Sequence, residues 1–180
     1  DQITVSAGED GSGSFVLGLS GSLKTTDSES DVVVTTGTDS GDITLSGTTR
    51  ALGQVNMTAA GGSITDGSDG DLAIAGLAEF TAGTSIVLGS GDFNAGSLTF
   101  DSGGSVNLTE DSSMLIADAS RAAGLDLVST SNVTLNASVT VVGDTSINAN
   151  DDITVNAAVV ASDQITVSAG EDGSGSFVLG

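Results

Sequence analysis

The chain has 180 residues, of which 38% are hydrophobic and only 3% aromatic, and its 24 acidic residues against three basic ones give a formal charge of −21. Three cations, Lys24, Arg50 and Arg121, cannot assemble the basic face that nucleic acid or anionic lipid requires. The absence of Cys excludes a disulfide framework, and the absence of His, Tyr and Trp removes the ordinary acid–base groups of catalysis near neutral pH. The hydrophobic share is high enough to bury a core, and no apolar run approaches the length of a membrane span.

The first element is Gln2-Ile3-Thr4-Val5, a short strand whose two aliphatics face one side and whose Thr faces the other. The pattern returns as Asp42-Ile43-Thr44-Leu45, Ser85-Ile86-Val87-Leu88, Ser97-Leu98-Thr99-Phe100 and Ser105-Val106-Asn107-Leu108. It returns again as Asn132-Val133-Thr134-Leu135 and Asp152-Ile153-Thr154-Val155. Gly, Asp, Asn and Ser flank each strand as turn formers.

One series of first aliphatic positions runs Ile3, Leu23, Ile43, Ile64, Ile86, Val106, Leu125, Ile147 and Ile165, in steps of 18 to 22 residues. A second series, with Val55, Leu77, Leu98, Val133 and Ile153 among its members, lies about half a step out of phase. An antiparallel sandwich has no reason for a steady coil length, whereas a parallel solenoid winds once per turn and stacks equivalent strands in register. The spacing therefore predicts an all-β, parallel β-helix, right-handed by the general rule for parallel crossovers.

Residues 1–18, DQITVSAGEDGSGSFVLG, recur without a change as residues 163–180. Folding constraints alone tolerate many substitutions at Ser, Glu and Gln, so this identity points to tandem duplication. The expected organisation is one solenoid period over 1–162, then the start of the next over 163–180, in a single continuous solenoid. About eight coils of about 20 residues fill a period and advance the fibre by roughly 38 Å. No amphipathic helix or polar coil reads as a true cap, so the expected partner is the chain's own next repeat, end to end, with lateral association of rods as a further possibility.

Stretches such as GGSITDGSDGDLAIAGLAEFTAGTSIVLGSG and GSLTFDSGGSVNLTEDSSMLIADAS resemble the β-strand-repeat regions of giant bacterial surface proteins. They are similar in texture to the β-helical shafts of filamentous-haemagglutinin-type adhesins. The resemblance implies secretion, an extracellular or cell-surface location, and a structural role in adhesion, matrix or filament. It transfers no functional residue, because no diagnostic motif carries it. Two alternatives are a functional amyloid-like matrix fibre and an ice-binding solenoid built on the Thr residues at strand centres, Thr4, Thr44, Thr99, Thr134, Thr154 and Thr166.

No catalytic or cofactor-binding residue is expected, and the chain is not read as an enzyme. No metal site is assigned. The acidic turns nearest to a calcium site hold Asp66, Asp69 and Asp71; others are Glu9-Asp10-Gly11, its repeat Glu171-Asp172-Gly173, and Asp151-Asp152. Calcium needs six to eight converging oxygens, and the Asp66 segment lacks both EF-hand spacing and tandem GGxGxD repeats.

Overall fold

A computed structural model describes residues 2–8, 10–171 and 173–180; Glu9 and Asp172, two of the acidic residues singled out above, lie outside them. Every regular element among the described residues is a β-strand, and every strand pairing is parallel. Apart from two longer strands, Asp71–Ala82 and Asp92–Ser102, the strands are short because Gly, Asp and Ser interrupt the aliphatic runs after three to six residues, and they gain stability only by stacking on equivalents one turn away.

One sheet has eight strands in the order β2 (Phe15–Leu17), β5 (Ile43–Leu45), β8 (Ile64–Asp66), β10 (Ile86–Leu88), β12 (Ser105–Glu110), β15 (Gly124–Ser129), β18 (Thr145–Ala149) and β21 (Ile165–Ala169). The other has fourteen strands, a main path with two separate shorter runs beside it. Its main path is β1 (Ile3–Ser6), β4 (Val32–Thr36), β7 (Val55–Ala59), β9 (Asp71–Ala82), β11 (Asp92–Ser102), β13 (Met114–Ile116), β16 (Val133–Leu135), β19 (Ile153–Val155) and β22 (Phe177–Leu179). Beside it lie β3 (Ser22–Lys24), β6 (Thr48–Ala51), β14 (Ser120–Ala122), β17 (Val139–Val141) and β20 (Val159–Ala161). The long strand β9 joins the run of β3 and β6 to the main path, pairing with β6 through its first half and with β7 through its second, whereas the run of β14, β17 and β20 joins at Asp101 in the second half of β11.

Successive strands of the eight-stranded sheet are offset by 28, 21, 22, 20, 19, 20 and 20 residues. The solenoid therefore has about seven turns, where the spacing of aliphatics gave about eight coils. The miscount comes from the start of the chain. Ile3 and Leu23 lie on other columns, in β1 and β3, and the residue that stacks on Ile43 is Phe15. A spacing near 20 residues cannot distinguish the same column one turn later from a neighbouring column when loops vary in length.

The core is a continuous internal column. Val32, Val34, Ile43, Val55, Met57, Ile64, Phe80, Ile86, Leu98, Val106, Leu127, Val133 and Ile153 are fully or almost fully buried, and alternation turns the residues between them along each strand outward. The middle turns hold the largest side chains: Phe100 stacks on Phe80, and Phe80 meets Phe93 edge to face with ring centroids 6.1 Å apart.

Candidate functional site

The acidic residues provide most of the chemistry on the surface, and many of them are structural acceptors between turns. Asp31 accepts a hydrogen bond from the Gln54 N–H (2.7 Å), Asp42 from Ser63 (2.8 Å) and Asp144 from Gln164 (3.1 Å). Asp152 accepts from both the N–H (2.8 Å) and the hydroxyl of Ser176 (2.7 Å), which hold its carboxyl below the usual carboxylate range. Each bond spans 20 to 24 residues, one turn of the solenoid. The Asp that precedes a strand thus caps an amide at the matching corner of the next turn, rather than serving only its own turn.

Asp66 is a deeper version of the same device. It occupies the third position of β8, where the alternation of Ile64-Thr65-Asp66 turns its side chain inward, and it is buried. Its carboxylate accepts from the N–H groups of Gly89 (2.8 Å), Ser90 (3.1 Å) and Gly91 (3.3 Å), so it sits in a nest of amides one turn away. Gly89 adopts φ +111°, and a side chain there would collide with the backbone of Thr109 as well. Asp69 is exposed and within 3.5 Å of the Ser68 hydroxyl, while Asp71 begins β9 and stacks on Asp92. The three candidate calcium residues are therefore spread over an inward nest, an exposed loop and a strand edge. Among the described residues no group of three or more carboxylates is placed to hold a metal.

Among the described residues, Glu110 is the one carboxylate with no exposed surface. In β12, Val106, Leu108 and Glu110 share the inward phase, so Glu110 enters the core where an aliphatic is expected. Its Oε1 accepts from the Ala95 N–H (2.9 Å) and the Ser112 hydroxyl (3.2 Å), whereas Oε2 is buried without a partner. Burial pushes its carboxyl up from 4.5 to about 7 against the lowering effect of the two donors, and neighbouring Asp111 adds to the rise. Asp111 extends the arrangement: its N–H donates to the Phe93 carbonyl (3.0 Å) and its carboxylate accepts from the Phe93 N–H (3.1 Å). The first half of β11 has no strand stacked on its far side, and these two acidic residues satisfy its backbone instead.

The remaining polar features are sparse. Lys24 and Arg50 stack in register on adjacent turns, and Arg121 forms an exposed ion pair with Asp101 at 2.8 Å. A shallow groove of about 320 Å³ runs over Arg50–Leu52, Ala73–Ala75 and Asn94–Gly96; it holds one cation and no carboxylate, so it offers no acid–base pair. Of the six strand-centre Thr residues, only Thr134 and Thr154 are stacked neighbours. The outward row of the eight-stranded sheet reads Val16, Thr44, Thr65, Val87, Asn107, Asp126, Ser146 and Thr166. Thr99 is buried under the 117–119 segment, bonded to the Ser120 hydroxyl at 3.1 Å.

These features define a parallel β-solenoid whose polar residues mostly close its own turns. Residues 29–99 of the chain match a family model described as repeats of unknown function (DUF5649), a stretch that runs from before β4 into β11. No curated protein matches the chain, and neither does any solved structure. The two buried carboxylates were not singled out as such by sequence reading. The available signal was the phase of alternation, which puts both Asp66 and Glu110 on the inward side of their strands.

Proposed function

We propose that the chain is a structural segment of a long secreted bacterial filament or adhesin shaft, outside the cell or on its surface. Turns stack on turns and periods on periods, and the segment has no catalytic role and needs no cofactor. One observation supports this reading above the others: a parallel ladder runs unbroken through about seven turns over a continuous aliphatic column, and the two carboxylates that enter it, Asp66 and Glu110, accept from backbone amides of neighbouring turns. Such a body transmits tension along its axis and exposes repeated surface, which are the properties a shaft requires. The charge of −21 keeps separate rods apart in solution and leaves nucleic acid and membranes as poor partners.

An amyloid-like fibre is less well supported, because each level of the core holds different side chains and the turns vary in length from 19 to 28 residues in one sheet. An ice-binding surface is disfavoured by the mixed outward row. Labelling intact cells of the source organism with antibodies against residues 1–180 tests the reading. Labelling without permeabilisation is expected, whereas labelling only after lysis contradicts secretion.

A further inference from the structure

The two identical 18-residue segments fold alike locally yet occupy different sheets. Gly8 and Gly170 have φ +79° and +76°, Gly11 and Gly173 have +99° and +97°, and each copy closes its loop by the same N–H to carbonyl bond of 2.8 Å, Gly11 to Gly8 and Gly173 to Gly170. The first copy, however, puts Ile3–Ser6 in the fourteen-stranded sheet and Phe15–Leu17 in the eight-stranded one. The second puts Ile165–Ala169 in the eight-stranded sheet and Phe177–Leu179 in the fourteen-stranded one.

The cause lies at 97–110. Elsewhere a longer strand segment is followed by two short ones, as in Val55–Ala59, Ile64–Asp66 and then the 71–74 half of β9, or in Thr145–Ala149, Ile153–Val155 and Val159–Ala161. At this point the second half of β11 passes through Gly103 and Gly104 straight into the six-residue β12, so two long segments follow one another. The long segment thereby moves on by one column. Four turns lead from β1 through β4, β7 and β9 to β11, one column step leads to β12, and three turns lead through β15 and β18 to β21. Glu110 and Asp111 cap the amides that the step leaves without a ladder partner, so the step is a closed feature of the fold.

We infer that successive periods join with a rotation of one column about the rod axis, so that the end formed by β20, β21 and β22 is covered by a further copy of residues 22–45, and a given side recurs only every third period. This rests on the reading of the chain as a segment of a repeating rod. The occupant follows from the two copies. Leu17 is 7% exposed because β5 stacks on its strand, whereas Leu179, the same residue of the repeat, is 70% exposed. Phe177 and Ile165 are also open, at 47% and 45%. The counterparts of β3, β4 and β5 fit onto β20, β21 and β22 as β4 fits onto β1 and β5 onto β2, and they continue the order of one long and two short strands. Each period then rises by about 35 Å and turns by about a third of a revolution. Any ligand-binding feature of one period would be displayed around the rod, and no flat lateral face would be uniform beyond one period.

Paired cysteines at outward register positions test the placement in the chain itself. Stacked strands bring such Cα atoms within disulfide reach, about 5 Å. Ser146→Cys with Thr166→Cys, and Thr4→Cys with Val33→Cys, are expected to lose nearly all free thiol on mild oxidation, whereas Thr154→Cys with Thr166→Cys keeps its thiols. Failure of the 146–166 bond, or formation of the 154–166 bond, overturns the inference. In electron cryo-microscopy of a three-period chain, rods with about a third of a turn per period are expected. Rods with no rotation between periods would sink the inference alone, and the absence of rods would sink the shaft reading beneath it.

Discussion

Replacing Glu110 by Gln removes an ionisation buried in the core and leaves nearly the same shape. In the folded chain the carboxyl titrates at about 7 instead of 4.5, so the fold retains a proton that the unfolded chain has released over that interval. Its contribution to stability is therefore complete below about 4.5 and is lost as the pH rises through about 7. At about 1.4 kcal/mol per pH unit, the gap sets a ceiling of about 3 kcal/mol. Glu110→Gln keeps an oxygen to accept from the Ala95 N–H, and its amide nitrogen replaces an Oε2 that already lacks a partner, so the two proteins should agree within about 1 kcal/mol at pH 4.5. At pH 8.5 the Gln variant should be more stable by about 3 kcal/mol, read from urea midpoints measured at both pH values. A difference between the two proteins that does not change with pH would refute this reasoning.

Asp66→Ala removes the acceptor of three backbone amides and is expected to lower stability by about 3 kcal/mol, with loss of hydrogen-exchange protection at Gly89 and Gly91. Addition of calcium should leave the wild-type midpoint unchanged, and a clear rise would return Asp66, Asp69 and Asp71 to consideration as ligands. Phe80→Ala opens a cavity among Met57, Phe93 and Phe100 and should cost about 3–5 kcal/mol by chemical denaturation. Arg121→Ala breaks a pair whose side chains are 66% and 53% exposed, so the midpoint should move by less than about 1 kcal/mol.

The alternation of aliphatic and polar residues was legible because a strand's period of two needs no knowledge of its partner. Ile43, Ile64, Ile86, Val106 and Leu125 do stack turn upon turn, as their spacing suggested. The number of turns was harder to read. Ile3 and Leu23 have the right spacing but lie on different columns, and only the paired register reveals that Phe15 takes the place on Ile43. Asp66 reads, together with the polar loop of its neighbours Ser68, Asp69 and Gly70, as the acidic turn nearest to a calcium site, though none is assigned. Its inward phase relative to Ile64 outweighs that neighbourhood, and the amides of Gly89–Gly91, which make the burial tolerable, lie 23 to 25 residues away. Sequence identity between 1–18 and 163–180 likewise says nothing of the column each copy occupies, since that depends on the strand order near Gly103 and Gly104.

The shaft reading makes a direct statement about how size grows with repeat number. Small-angle X-ray scattering from chains of one, two and three periods should show length increasing by about 35 Å per period while the cross-section stays constant. Growth in all three dimensions, or a length that stops increasing after the first period, would contradict it.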